Sequence, residues 1–220
     1  MWWLLAVPAA AVVAALLSAD STPETPPSEK NSQAHPILRN NLQRLKMQLQ
    51  SSTKRKVAFF GQPGAGKSTT LDMLTEGRLQ PRPRIGVTTD MTDWSSSPSI
   101  PVVIPFGDVL FVDAPGYGTT KHPPEVFLAH FPFDQFDEVI VVVKGKLVKA
   151  DEQLIGHATK QTRRLRVVQT HSATLSTEER EIRRHDLSKR LGLSLIQIQF
   201  IDNRTQEGIP FLKRTILPGR

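Results

Sequence analysis

The stretch that decides the fold is KVAFFGQPGAGKST, residues 56–69. Its first part, residues 56–60, has the apolar and aromatic composition of a short buried strand. The strand runs directly into Gly-x-x-x-x-Gly-Lys-Ser, the spacing of a phosphate-binding P-loop. A helix is expected to follow over residues 68–76, with Gly77 as its cap. Strand, loop and helix in this order predict an α/β fold with a phosphate site at the carboxyl end of the strand.

The residue types in this loop suit phosphate chemistry. Glycines let successive backbone N–H groups turn inward, and the helix start adds its positive dipole end. Lys67 is expected to reach the β- and γ-phosphates, and Ser68 to ligate Mg²⁺ through its hydroxyl. The predicted nucleotide-binding residues of the loop are Gly61, Gln62, Pro63, Gly64, Ala65, Gly66, Lys67, Ser68 and Thr69.

A second element, VLFVDAPG, occupies residues 109–116. An apolar strand there ends in Asp-x-x-Gly, so Asp113 is predicted to hold Mg²⁺ through water. The Gly116 amide is predicted to contact the γ-phosphate and to make the following loop a switch.

The polar stretch between the two elements, residues 84–92, is a candidate first switch. Such a loop needs a threonine that meets Mg²⁺ only when a γ-phosphate is present, and we assign Thr89, with Thr88 as the alternative. The predicted metal ligands are therefore Ser68, Thr89 and Asp113. The predicted catalytic residues are Lys67, Thr89 and Gly116.

Together these segments resemble the small-GTPase class of P-loop proteins. The longer stretch DAPGYGTTKHPPEVFL, residues 113–128, is similar to the Asp-x-Pro-Gly-x-Gly-Thr segment and following helix of the immunity-related GTPases. Residues 136–143 and 151–154 resemble the next strand and helix of that family. The resemblance covers a GTPase domain over residues 55–217. It implies a Ras-like α/β fold, Mg²⁺-dependent binding of GTP and GDP, membrane association, and activation through dimers or oligomers.

The base-reading motif departs from this pattern. GTPases use Asn or Thr-Lys-x-Asp, whose aspartate accepts two hydrogen bonds from guanine; here Ala173 stands at the aspartate position. Losing such a contact costs about 1.5–3 kcal/mol, which predicts a weak guanine preference. The remaining base-side candidates are Thr170, His171 and Asn203, with Asp202 or Asp186 as substitutes for the missing carboxylate.

The residue after Asp-x-x-Gly is a tyrosine, Tyr117, where many GTPases carry a water-orienting glutamine. Hydrolysis should therefore be slow, with the missing group supplied by a second protomer or a partner, as an arginine finger is. Arg78, Arg82 and Arg84 are available, although basic loop residues are usually only solvated. The predicted function is a slow GTPase whose nucleotide state controls self-association or partner binding. The alternatives are a non-hydrolysing nucleotide-binding scaffold and an ATPase on the same fold.

The rest of the chain alternates strands, near residues 139–143, 166–170 and 195–201, with helical patterns. This alternation predicts a Ras-like, mostly parallel sheet flanked by helices. A capping box at Ser176 begins a helix that Gly192 closes. Its many basic residues favour a solvated face with glutamate pairs, with anionic lipid second and nucleic acid third. Five of the six histidines lack metal-ligand spacing and are interpreted as surface residues: His122, His130, His157, His171 and His185.

Residues 1–19 contain no charged side chain and would span about 28 Å as a helix. This length predicts a single-pass transmembrane anchor, and the basic residues after it place the GTPase domain in the cytoplasm. A cleaved signal peptide is the alternative; a buried soluble helix is weaker because the segment has no polar face. Residues 20–35 read as a flexible Pro/Ser-rich linker.

An amphipathic helix is predicted over residues 36–50, with leucines at intervals of four, three and four. These leucines, Leu38, Leu42, Leu45 and Leu49, are expected to pack on the following domain. A short self-association seam is the alternative interpretation.

Composition sets the outer bounds on function. The 220 residues are 39% apolar and 22% charged, which excludes wholesale disorder. The lack of cysteine excludes a disulfide scaffold, a thiolate zinc site and a cysteine nucleophile. The net charge of +7 favours acidic partners such as nucleotides or an anionic membrane face. Sparse aromatic residues argue against a stacking surface for nucleic acid, so no nucleic-acid partner is expected.

Overall fold

The computed structural model describes residues 35–83, 85–86 and 92–217, all within the unit His35–Arg220. The predicted anchor at residues 1–19 lies outside the described residues, as does the predicted linker up to residue 34. Within the described part of the chain, every helix is too short or too polar to cross a bilayer.

A six-stranded sheet forms the centre of the domain, in the order β2-β3-β1-β4-β5-β6. The strands are β1 Arg55–Gly61, β2 Ile104–Phe106, β3 Val109–Asp113, β4 Glu138–Lys144, β5 Leu165–Thr170 and β6 Ile198–Phe200. Every pairing is parallel except that of β2 with β3. The predicted mostly parallel α/β fold is thus confirmed. Because Phe59 lies opposite Asp113, the carboxyl ends of β1 and β3 meet at one edge of the sheet.

Helices cover both faces of the sheet. They are α1 Pro36–Gln50, α2 Lys67–Leu74, α3 Pro124–His130, α4 Lys149–Thr159, α5 Thr177–Leu191 and α6 Ile209–Ile216. Apolar residues of α2 and α6 form one buried cluster with the sheet, and those of α1, α3, α4 and α5 form the other. The P-loop, which joins β1 to α2, lies at the carboxyl edge of the strands.

The four leucines along one side of α1, the leucine stripe, are buried in the domain core. Leu38, Leu42, Leu45 and Leu49 are each at most 1% exposed, and they share a cluster with the apolar residues of α3. Burial of all four explains why this short helix is stable, because an isolated helix of this length is marginal in water. The structure therefore favours packing on the domain over a self-association seam.

Two polar residues of α1 hold the segment that follows the first switch. The Asn41 side-chain amide donates to the carbonyls of Trp94 at 2.7 Å and Ser97 at 2.8 Å. The Arg44 guanidinium donates to the carbonyls of Pro98 and Ile100. The helix therefore anchors residues 94–100 as well as covering the sheet.

Two element ends differ from the sequence prediction. α2 ends at Leu74, before the predicted end at residue 76. Glu76 (φ 54°) and Gly77 (φ 67°) are both left-handed, and the Gly77 N–H bonds the Asp72 carbonyl at 2.8 Å, so Gly77 takes part in the cap as predicted. β6 is shorter than expected because residues 195–197 form a 3₁₀ turn. The side chain of Gln197 closes that turn by accepting from the Ser194 N–H at 3.0 Å, so local capping overrides the apolar strand pattern.

The basic helix α5 begins and ends as its capping residues predict. Ser176 Oγ accepts from the Glu179 N–H at 3.1 Å, and Gly192 closes the helix at φ 65°. Three of its four arginines pair with carboxylates, in the pairs Arg180–Glu207, Arg184–Glu181 and Arg190–Glu152. This pairing agrees with the solvated-face interpretation.

Candidate functional site

The P-loop forms the turn between β1 and α2. Residues 62–66 leave the sheet at the carboxyl end of β1, and Lys67 is the first residue of α2. Gly64 and Gly66 have positive φ values of 76° and 90°, which side chains rarely adopt. A Cβ on Gly66 would also lie 2.7 Å from Asn203 Nδ2. The backbone therefore has the glycine-dependent turn that directs N–H groups toward a phosphate.

The structure brings together three residues predicted from two separate motifs. Lys67 Nζ lies 3.1 Å from Asp113 Oδ1, and the Ser68 hydroxyl donates to Asp113 Oδ2 at 2.8 Å. The side chains of Lys67 and Asp113 are each only 5% exposed. A phosphate arriving here would meet an ammonium group that is already largely desolvated, so its attraction is stronger than in bulk water.

The same cluster fits a magnesium ion. A serine hydroxyl and a carboxylate are the hard oxygen ligands that Mg²⁺ prefers, and Ser68 Oγ and Asp113 Oδ2 are adjacent. Among the described residues, no group of three or more acidic, histidine or cysteine side chains could hold a metal alone. Magnesium sites in nucleotide enzymes are commonly completed by the substrate phosphates.

The predicted first-switch threonines, Thr88 and Thr89, lie outside the described residues. The structure instead places Thr92 at the cluster, with its hydroxyl 3.3 Å from Asp113 Oδ2. Thr92 and Asp113 line one side of a hollow of about 160 Å³. Thr92 belongs to the same polar stretch, but nothing in the sequence distinguishes it from its neighbours.

Tyr117 is built into the core. It is fully buried, and its hydroxyl donates to Asp151 Oδ1 at 2.6 Å. Burial, together with the charge of Asp151, raises the pKa of Tyr117 well above its ordinary value. The hydroxyl therefore stays protonated and remains a donor. Sequence reasoning missed Asp151, although an acid in the first turn of a predicted helix is a recognisable capping signal.

Side chains on the predicted base side of the site form hydrogen bonds with the P-loop and the start of α2. The Thr170 hydroxyl donates to the Ala65 carbonyl at 2.8 Å. Asn203 Nδ2 donates to the Gly66 carbonyl at 3.3 Å, and its Oδ1 accepts from the Thr70 hydroxyl at 3.2 Å. Two of the three predicted base-side residues, Thr170 and Asn203, thus support the loop itself.

His171 follows Thr170 with a left-handed backbone (φ 58°). Burial, reinforced by the charge of Lys144, lowers the pKa of His171 below its ordinary value. The imidazole is therefore neutral near pH 7, unlike the lysine found at this position in the GTPase motif. Ala173, at the aspartate position, is exposed.

The two proposed substitutes for the missing carboxylate have other partners. Asp202 accepts from the backbone N–H groups of Arg204 at 2.8 Å, Thr205 at 3.0 Å and Ala173 at 3.3 Å. Burial alone would raise the pKa of Asp202, but these bonds hold it below its ordinary value. Asp186 lies on α5 and faces Arg190 at 3.8 Å. Asp202 thus shapes its own loop, and a base contact would have to compete with three backbone donors.

Two of the three arginines considered as arginine fingers have partners within the chain. Arg82 forms two hydrogen bonds with Asp72, at 2.7 and 2.8 Å. Arg78 pairs with Glu76 at 2.8 Å. Arg84 lies outside the described residues. These pairs give Arg78 and Arg82 a structural role at the end of α2.

Asp93, directly after the predicted first switch, contacts Lys121 and His122 in the loop after Gly116, which is the predicted second switch. It accepts from Lys121 Nζ at 2.9 Å, and its other oxygen lies 3.3 Å from His122 Nε2. Burial would raise the pKa of Asp93, but hydrogen bonds from Ser95 and Lys121 lower it to about 2. The prediction that His122 is a surface residue is wrong: it is 3% exposed, next to the Phe127 ring. Burial lowers the pKa of His122 to about 4.

We expect this buried histidine to make the fold acid-sensitive. Between about pH 6.5 and pH 4 the unfolded chain binds a proton at His122 that the folded chain does not, so stability falls as the pH is lowered through this window. The lowered pKa of Asp93 acts only below about pH 4. Thermal unfolding at about pH 7 and pH 5 should show a smaller loss for His122→Asn than for the unmodified chain. His130→Asn, at an exposed position, is the control, and equal losses in all three proteins would contradict the prediction.

Comparisons with known proteins agree on the class of domain. A family model described as "50S ribosome-binding GTPase" matches residues 56–171. A search of curated proteins returns no match. The solved structure of a "probable GTP-binding protein engB" is 18% identical, with a TM-score of 0.54 over 73% of this chain and 96% of that one.

Two further structures share the fold. The protein Era, solved with MgGDPNP and nucleotides of 16S ribosomal RNA, is 19% identical, with a TM-score of 0.54 over 76% of this chain and 57% of Era. A variant of SsGBP is 15% identical, with a TM-score of 0.51 over 81% of this chain and 61% of that one. Likeness at such low identity establishes the fold and leaves partners open.

Proposed function

The chain belongs to the family of 50S ribosome-binding GTPases, and we propose that it binds GTP with weak guanine selectivity and hydrolyses it slowly. One observation carries the proposal. Lys67 and Asp113 form a buried pair beside the Ser68 hydroxyl, an arrangement that suits phosphate and Mg²⁺, while Ala173 stands where a base-reading carboxylate is expected. The phosphates would then supply most of the affinity, and the base would contribute little discrimination.

The phosphate half of the site supports the chemistry of hydrolysis. Lys67 and the loop N–H groups would bind the β- and γ-phosphates, with Ser68 and Asp113 holding Mg²⁺. When bound, Mg²⁺ supplies charge neutralisation for the phosphates. Water attacks the γ-phosphorus, the bond to the β-phosphate oxygen breaks, and GDP and inorganic phosphate result. The Gly116 amide would contact the γ-phosphate oxygens, where negative charge is held.

Slow turnover follows from the residue next to Gly116. The Tyr117 hydroxyl is engaged by Asp151 and buried, so it is not placed to orient water as a glutamine amide does. We therefore extend the proposal to a catalytic group from a second protomer or a partner, with nucleotide-dependent self-association as in the immunity-related GTPases that the second-switch sequence resembles.

A membrane tether is also part of the proposal. Residues 1–19 lack charge and are long enough for a bilayer core. Basic residues follow this segment, which supports a single-pass anchor with the GTPase domain facing the cytoplasm. Detection of residues 1–19 in the mature membrane-bound protein by mass spectrometry would support an anchor, whereas their removal would support a cleaved signal peptide.

Nucleotide titration tests the proposed selectivity. The full chain, with Mg²⁺, is titrated with fluorescent GTP, GDP and ATP. We expect GTP to be preferred over ATP by less than about tenfold, which is about 1.4 kcal/mol. Ala173→Asp should widen that preference, with Ala173→Asn as the matched control without charge. A large GTP preference in the unmodified chain would mean that another residue reads the base.

Phosphate release then separates an enzyme from its alternatives. Slow release from GTP that disappears in Ser68→Ala supports the proposed GTPase. Binding of GTP without any release would indicate a nucleotide-binding scaffold, and faster release from ATP than from GTP would indicate an ATPase. Acceleration with rising protein concentration would support a catalytic group supplied by a second copy.

A further inference from the structure

The carboxylate of Asp151 links two parts of the nucleotide site that are distant in sequence. Its Oδ1 accepts from the Tyr117 hydroxyl at 2.6 Å and from Gln62 Nε2 at 3.3 Å. Its Oδ2 accepts from the backbone N–H of Val148 at 3.0 Å, at the start of α4. One side chain of α4 thus contacts both the P-loop and the second switch.

Burial makes this arrangement costly to disturb. Asp151 is 3% exposed and Tyr117 is fully buried. A buried carboxylate needs its hydrogen bonds, because no water replaces a lost donor. The three donors therefore hold Asp151 in place, and Asp151 in turn restricts the positions of the Tyr117 and Gln62 side chains.

The chain neighbours of these two residues contact phosphate in the proposed function. Tyr117 directly follows Gly116, so consecutive Cα atoms about 3.8 Å apart carry the anchored ring and the predicted γ-phosphate contact. Gln62 lies within the P-loop itself. Gly118, which follows Tyr117, has a left-handed backbone (φ 79°) that side chains rarely adopt, and it lies beside the Gln62 carboxamide.

We propose that Asp151 is a positioning residue for γ-phosphate recognition, acting by anchoring Tyr117 and thereby the Gly116 amide. The inference rests on the proposed nucleotide function of the site. Tyr117 lacks the amide that orients water in many GTPases. In this proposal its role is to fix the start of the predicted second switch. Gln62 donates to the same carboxylate oxygen and so links the P-loop to the same anchor.

The test measures how well the full chain distinguishes a triphosphate from a diphosphate. Tyr117→Phe removes only the hydroxyl, and Asp151→Asn leaves one neutral acceptor oxygen for the three donors Tyr117, Gln62 and Val148. We expect either variant to bind GTPγS about tenfold more weakly while GDP affinity changes less than about twofold, because Gly116 contacts only the γ-phosphate. The double variant should bind GTPγS no more weakly than the single variant with the larger loss, since both changes act on the same hydrogen bond.

Thr159→Val is the matched control, because its hydroxyl bonds the Ile155 carbonyl at 2.7 Å near the other end of the same helix. Thermal unfolding is measured first, and binding is measured at a temperature where each variant is folded. An unchanged ratio of GTPγS to GDP affinity in Tyr117→Phe or Asp151→Asn, or an equal loss for both nucleotides, would overturn the inference. If the unmodified chain bound neither nucleotide, the proposed function itself would fail.

Discussion

Lys67→Ala should weaken binding of GTP and GDP by at least about 100-fold, or about 2.8 kcal/mol. The ammonium group is the desolvated cation of the proposed phosphate site and lies 3.1 Å from Asp113 Oδ1. Removing it leaves a buried carboxylate facing the incoming phosphates, so an attraction is replaced by a repulsion. Titration with fluorescent GTP and GDP in the presence of Mg²⁺ measures the loss.

Lys46→Ala provides the matched control, because that lysine lies on the exposed side of α1. It changes the net charge equally but leaves the site intact. The melting temperature of Lys67→Ala shows whether the unpaired Asp113 destabilises the fold, which separates a binding defect from unfolding. Undiminished nucleotide affinity in a folded Lys67→Ala protein would sink the site assignment.

Leu45→Ala should destabilise the GTPase domain by about 2–5 kcal/mol, a large part of the stability of a domain this size. Leu45 is fully buried in the cluster that α1 shares with α3 and the sheet. The truncation removes apolar contacts and leaves a cavity that the surrounding side chains fill only in part. Chemical denaturation of the full chain measures the difference in the free energy of unfolding.

Met47→Ala is the control on the opposite side of α1, where the methionine is 55% exposed. Its effect should stay within about 0.5 kcal/mol, as expected for an exposed position. If Leu45→Ala kept the stability of the unmodified chain but reduced self-association, the leucine stripe would be an interface between copies. Equal stability in both variants would therefore contradict the packing seen in the structure.

The role of α1 extends beyond covering the sheet. Asn41 and Arg44 bind backbone carbonyls in residues 94–100, which follow the first switch. Destabilising this helix should therefore also disturb Thr92 and Asp93, which directly precede those residues. Through these hydrogen bonds, α1 is connected to the segment that carries Thr92 at one side of the proposed nucleotide site.

Contiguous motifs carried most of the fold prediction. The P-loop lies between a strand and a helix that its own residues specify, and Asp113 ends a strand made of apolar residues. The helix of α5 is delimited by its capping box and by Gly192. Such signals depend on neighbours a few residues apart, so they are legible without tertiary information. In residues 195–197 the apolar pattern predicts a strand, but hydrogen bonds between Ser194 and Gln197 form a 3₁₀ turn instead, so the pattern alone gives the wrong structure.

The sequence by itself determined the parallel α/β architecture, the phosphate loop and the alanine at the base-reading position, because each is a property of adjacent residues. Only the tertiary structure decided which side chains meet around that loop. Tyr117 reaches Asp151 across 34 residues and Thr170 reaches Ala65 across 105, while His122 is buried against Asp93. The physical reason is the parallel sheet: its crossover connections bring the carboxyl ends of separate strands to one edge, where residues far apart in the chain become hydrogen-bond partners.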